Sequence, residues 1–190
     1  MKSIKTLLVI VLTLAMIFTF AACGGSSEGS DQGSDQQEQS GTATEGIPEY
    51  VYASVGGVNI MPGGNYADVE GKIGDETKPS ERVEPCDPGV ETAEIEYYFE
   101  GVQLTTKEDG LIRMINLDFQ AGRDDVLFGG KIGAGSTVDD VKALMGEPEE
   151  DGEDEYTLRY YFDKGNCMFY KGEDDPNTVT GVIIGYDDMA

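Results

Sequence analysis

The sequence predicts an α+β fold, in which two tandem helix-plus-three-strand repeats form a curved antiparallel sheet with the helices on one face. Three observations carry this reading. An internal repeat lays Gly57 through Gly74 over Gly129 through Gly146 at an offset of 72, with six of 18 positions identical. Farther on, Ile95-Glu-Tyr97-Tyr98-Phe99-Glu100 lies over Leu158-Arg-Tyr160-Tyr161-Phe162-Asp163 at an offset of 63, and Ile115 through Phe119 lies over Val182 through Tyr186 at 67. The first block has helical spacing in its second half, whereas the later blocks alternate as strands do.

Each element has its own signals. The second helix, 138–145, has Thr137 and Asp140 as a capping-box variant, Val138, Val141, Leu144 and Met145 on one face, Gly146 at its end and Pro148 beyond. The first, 66–73, is interrupted by Gly71, at about 1 kcal/mol relative to Ala. Among the strands, Ile95, Tyr97 and Phe99 alternate with Glu94, Glu96, Tyr98 and Glu100, the pattern of a sheet with one covered face and one wet face. Glu100-Gly101, Asp109-Gly110, Lys164-Gly165 and Asp175-Pro176-Asn177 mark the turns. The nine residues by which the offset falls from 72 to 63 form an insertion in the first copy, around Cys86.

Three segments organise the chain. In residues 1–22, Lys2 and Lys5 precede an apolar run from Leu7 to Ala22, short of the roughly 20 residues that span a bilayer, and the segment reads as a signal peptide. Phe20-Ala21-Ala22-Cys23 resembles the lipobox of bacterial lipoproteins, which implies cleavage before Cys23, its diacylation, and a mature protein on the outer face of the cytoplasmic membrane or at the cell surface. Residues 23–46 hold that cysteine and a tether: Gly24 to Gly46 contains no apolar residue larger than Ala, so it has nothing to bury. Its flexible reach is roughly 25 Å. Residues 47–190 are the tandem-repeat domain, with copies over about 50–120 and 121–188.

The second copy carries a resemblance. Ile132-Gly-Ala-Gly-Ser-Thr137-Val-Asp-Asp-Val-Lys-Ala-Leu-Met-Gly-Glu-Pro148, followed by Tyr160-Tyr161-Phe162, is similar to the signature of small envelope lipoproteins of the SmpA/OmlA type. In tandem, the motif resembles the β-lactamase inhibitory protein-like fold. The resemblance implies a non-enzymatic scaffold that offers a sheet surface to another protein, and it speaks to fold more than to function.

Composition narrows the chemistry. The 190 residues carry a formal charge of −24 and no histidine, which excludes nucleic-acid binding by charge, Ser-His-Asp triads and His-ligated metals. From Cys23 onward, 11 basic and 37 acidic residues remain, and this charge repels anionic lipid headgroups. Cys86 and Cys167 are either a disulfide joining the two copies or two unpaired thiols. The seven carboxylates of Glu147–Glu155 fail the EF-hand spacing and read as a solvated loop, with a weak Ca²⁺ site as the alternative. Glu96 and Asp163 are the carboxylates a hydrolase would use, but nothing in the sequence desolvates either.

Tyr98 and Tyr161 hold equivalent places in the two copies and point away from the apolar strand faces. Together with Phe169 they mark the candidate binding face, since exposed aromatics supply contact area at low entropic cost. The alternative is cross-strand packing within the sheet. The expected function is a lipid-anchored module binding a protein or cell-wall component, with no metal, cofactor or catalysis. A small-ligand or ion-binding lipoprotein ranks second and a carboxylate-dependent hydrolase third.

Overall fold

Glycine turns and runs of β-branched and aromatic residues break the described part of the domain into ten short strands. The computed structural model describes residues 44–84 and 93–187. Ala53–Val55 (β1) and Val58–Ile60 (β2) form a hairpin over Gly56-Gly57, which sit at φ 59° and 82° as a two-residue turn with both central residues left-handed demands. Next come Lys78–Val83 (β3), Glu94–Phe99 (β4), Val102–Lys107 (β5), Ile112–Asp118 (β6) and Val126–Phe128 (β7). Helix α1, Val138–Met145, precedes Thr157–Phe162 (β8), Gly165–Lys171 (β9) and Val179–Tyr186 (β10).

The strands build two antiparallel sheets, a small one ordered β2-β1-β7 and a seven-stranded one ordered β3-β4-β5-β6-β10-β9-β8. The large sheet consists of two meanders, β4-β5-β6 and β8-β9-β10, joined where β6 pairs with β10, Ile115 opposite Ile184. Its edge strand β3 adds to β4.

This architecture corrects the α+β expectation. The molecule is mainly antiparallel β, and α1 is the one α-helix among the described residues. Where a first helix was expected over 66–73, the chain makes a single 3₁₀ turn, Tyr66–Asp68. Asn65 caps it, its Oδ1 accepting from the Ala67 N–H at 3.0 Å, as Thr137 caps α1 at the equivalent position. The physical reason lies at the other end: Gly71 at φ 70° and Gly74 at φ 112° leave the helical region before a second turn can form. Val69 and Ile73 are buried all the same, from turns rather than from a helical face.

The tandem helices are therefore not what covers the large sheet. One face of it is sealed by the small sheet, the 3₁₀ turn and α1, which share a single apolar core with Leu104, Ile115, Leu117, Leu158, Phe169, Val182 and Ile184. Phe128 of β7 meets Phe169 of β9 edge-on across this core, and Tyr66 stacks on Tyr97 at 3.8 Å between centroids. Among the described residues, no helix or strand lies across the opposite face.

Candidate binding face

Pairing register decides what that open face carries, because residues directly opposite one another in a sheet project to the same side. One row across it runs Tyr98, Gln103, Asn116, Ile183, Met168, Arg159, and the next runs Glu96, Thr105, Met114, Gly185, Asn166, Tyr161. Tyr98 and Tyr161 thus share the face, but β4 and β8 stand five strands apart. At about 4.8 Å per strand that is about 24 Å, too far for one contact patch.

The two tyrosines also differ in state. Tyr98 is partly buried and engaged: its hydroxyl donates to Glu96, which raises its pKa, and Lys78 Nζ sits 3.4 Å over the ring. Tyr161 is 61 % exposed. The apolar side chains between them are Met114, Ile183 and Met168, each partly exposed. Sequence reasoning missed these three because none stands out by composition; only the register gathers them.

Phe169 does not belong to this face, which corrects its place in the expected site. It is fully buried, opposite Leu158 and Val182, with Phe128 and Tyr160 edge-on at 4.9 and 6.1 Å. Strand alternation in β9 puts Cys167 and Phe169 inward and Asn166, Met168 and Tyr170 outward. Met168 occupies the surface that Phe169 was expected to occupy.

Cys167 is fully buried in the core, with no disulfide partner among the described residues, and burial pushes the pKa of its thiol up. Cys86, the candidate disulfide between the two, and the lipidation site Cys23 lie outside the described residues. Glu96 on β4 and Asp163 just past β8 stand at opposite ends of the sheet, whereas paired glycosidase carboxylates lie within roughly 10 Å.

The acidic run after α1 is exposed to solvent, and Glu147, Glu153 and Asp154 fasten it to the fold. Glu153 accepts from Lys142 of α1 and from Lys171 of β9, both at 2.8 Å, and Glu147 pairs with Lys142 at 3.1 Å. The two lysines hold the Glu153 carboxyl below the usual carboxylate range. Asp154 caps the start of β8, accepting from the N–H groups of Tyr156 and Thr157, and pairs with Arg159 at 2.9 Å. Those N–H groups lower its pKa in the same way. Among the described residues no group of three or more Asp, Glu, Cys or His is arranged to hold a metal ion.

Two grooves interrupt the open face, one at each end of β10. Near Gly185 a groove of about 390 Å³ is lined by Glu94, Thr105, Arg113, Met114, Asn166 and Asp187, among others. Near Gly181 one of about 590 Å³ is lined by Gln120, Tyr170, Thr180 and the turn residues Glu173, Asp174 and Asp175, among others. No family model, curated protein or solved structure matches the chain.

Proposed function

We propose that this chain is a membrane-anchored extracytoplasmic lipoprotein, whose domain holds a protein or cell-wall component on the open face of its seven-stranded sheet. The observation that carries the reading is the asymmetry of that sheet. One face is sealed in the core, while the other presents Met114, Ile183, Met168 and Tyr161 to solvent over a broad surface. Apolar and aromatic side chains gathered on an otherwise polar surface are the composition of a contact site. The signal segment, the lipobox-like Phe20-Ala21-Ala22-Cys23 and the polar tether support placing this surface outside the membrane. The two meanders, which follow the offsets of 63 and 67, support by analogy a scaffold of the kind that the SmpA/OmlA resemblance implies.

The test is capture from envelope extract by the full chain, with wild type beside Tyr161→Ala/Met168→Ala. A partner lost in the double variant, with circular dichroism unchanged, supports the face. Equal capture by both proteins removes it, and saturable binding of a metabolite or Ca²⁺ in calorimetry favours the small-ligand reading instead.

A further inference from the structure

The two meanders repeat one local geometry, and the first shows what fits beside the second. Tyr98 lies opposite Gln103 and Tyr161 opposite Asn166, each one residue short of the end of its strand. At Tyr98 the sheet edge is completed by β3. Lys78 stands opposite Tyr98 with its Nζ 3.4 Å over the ring, and Thr77, one residue ahead, donates its backbone N–H to the Tyr98 carbonyl at 2.8 Å. Tyr98 is thus engaged through backbone and ring at once.

The second meander has only part of this arrangement. Residues 152–154 line the outer edge of β8: the Arg159 N–H donates to the Gly152 carbonyl at 2.6 Å, the Asp154 N–H to the Thr157 carbonyl at 3.0 Å, and Glu153 bridges to Leu158. On the other side of Gly152 the chain turns off the edge, its N–H donating to the Glu149 carbonyl at 2.7 Å. Backbone groups of an antiparallel strand face its two neighbours alternately, so Tyr161, two residues past Arg159, also directs its N–H and C=O outward. No backbone group among the described residues bonds to them there, and the ring is largely exposed.

Backbone, ring and charge name the occupant. An outward N–H and C=O on a sheet edge are matched by another extended chain. The exposed ring attracts a cation, as its equivalent at Tyr98 does. The turn leaving the edge carries Glu149, Glu150 and Asp151, and Asp163 lies two residues past Tyr161. Against them stand Lys164 and an Arg159 that Asp154 already neutralises at 2.9 Å. A basic segment is therefore favoured over an acidic one, and over a second copy of this edge.

We propose, resting on the open-face reading above, that the partner contributes an extended basic segment which adds to the β8 edge at Tyr161. Its lysine or arginine lies over the Tyr161 ring, and the N–H of the residue before it binds the Tyr161 carbonyl, as Lys78 and Thr77 do at Tyr98.

The probe is acetyl-Val-Thr-Lys-Val-Thr-amide, titrated in the millimolar range into the ¹⁵N-labelled full chain in neutral detergent. Its analogues carry norleucine or glutamate in place of the lysine, or an N-methyl group on the threonine before it. Saturable amide shifts at Tyr161 and Phe162 are expected, with Tyr98 and Phe99 unmoved because β3 already occupies their edge. Norleucine should weaken binding about threefold and N-methylation about fivefold, with glutamate weaker than norleucine. Tyr161→Leu keeps the backbone, so it should erase the difference between lysine and norleucine and leave the effect of N-methylation. Equal binding of the lysine and norleucine peptides to wild type would overturn the cation site, and equal binding of the N-methylated peptide would overturn strand addition. Shifts of Tyr161 on dilution without peptide would give this edge to a second copy and overturn the proposal. No shift anywhere, with partner capture still lost in Tyr161→Ala/Met168→Ala, would reject edge addition and spare the open face. No shift together with unchanged capture would reject the face as well.

Discussion

The ring of Phe128 in β7 meets the ring of Phe169 in β9 at 4.9 Å between centroids and 82° between planes, which ties the small sheet to the large one at the centre of the core. Both side chains are fully buried. Truncating Phe169 to Ala removes the edge contacts to Phe128 and Tyr160 and leaves a cavity between two sheets that cannot easily collapse. The expected loss is about 3–5 kcal/mol. Tyr161→Ala, on the open face of the same hairpin, should change stability by no more than about 0.5 kcal/mol. Urea denaturation of the two variants checks the contrast, and comparable losses would contradict the assignment of the two residues to opposite faces.

That contrast also shows what was legible in the sequence. A β8–β9 hairpin with a two-residue loop pairs odd with even positions, so Phe169 must share a side with Leu158 and Tyr160 whichever two residues form the loop. The loop is Asp163-Lys164, with Phe162 opposite Gly165. The offsets of 63 and 67 correspond to the equivalence of β4, β5 and β6 with β8, β9 and β10, because strands are short and bounded by turns that composition reveals. The first helix was misread because an apolar spacing of three and four is also produced by successive turns, and the backbone needs of Gly71 and Gly74 outweighed it. The cluster of Met114, Met168 and Ile183 was not legible at all. It depends on which strands become neighbours, and β6 meets β10 across more than sixty residues of chain.

Glu153 links α1 to β9 through Lys142 and Lys171, and the two ammonium groups depress its pKa. A carboxylate with a depressed folded-state pKa contributes stability above its unfolded pKa and loses it as pH falls through the folded value. Glu153→Gln should therefore destabilise the chain at pH 7, by on the order of 1 kcal/mol for a partly exposed pair. The difference from wild type should shrink as pH falls below the ordinary carboxylate range. Thermal melts of both proteins from pH 7 to pH 2.5 check this. A gap between the two melting curves that stays constant with pH would show that the loss is packing and not charge. The same acidification relieves the self-repulsion of a chain with a charge of −24, so wild-type stability alone is a poorer readout than the difference.

The Cys167 thiol is fully buried between Tyr160 and Ile184, its cross-strand neighbours, and its pKa is raised by that burial. The thiolate is the reactive form, and here it is both disfavoured and out of reach. A water-soluble thiol reagent at pH 8 should leave Cys167 unlabelled in the folded chain and label it within the dead time of adding guanidinium, with no reductant present. Label that appears on Cys167 only after reduction would mean a bond to Cys86. Rapid labelling in the folded chain would place the thiol at the surface and contradict the inward face of β9.

The proposed attachment to the membrane rests on Cys23, and the charge of the chain makes this a demanding test. From Cys23 onward the protein keeps 37 acidic residues against 11 basic ones, so the domain is repelled by anionic headgroups and offers no second, electrostatic means of adhesion. No helix among the described residues is long and apolar enough to cross a membrane. A single acyl chain holds a protein only marginally, whereas two give a stable anchor. Protein extracted from membranes should therefore lack residues 1–22 and carry added acyl mass on Cys23, both read from one intact-mass spectrum. High salt should leave it in the membrane pellet, since no ionic contact holds it there, while detergent should release it. A version beginning at residue 44 behind a cleavable export signal should fractionate as soluble. An unmodified Cys23 at an intact N-terminal segment, or a pellet-bound truncated chain, would move the anchor elsewhere in the molecule.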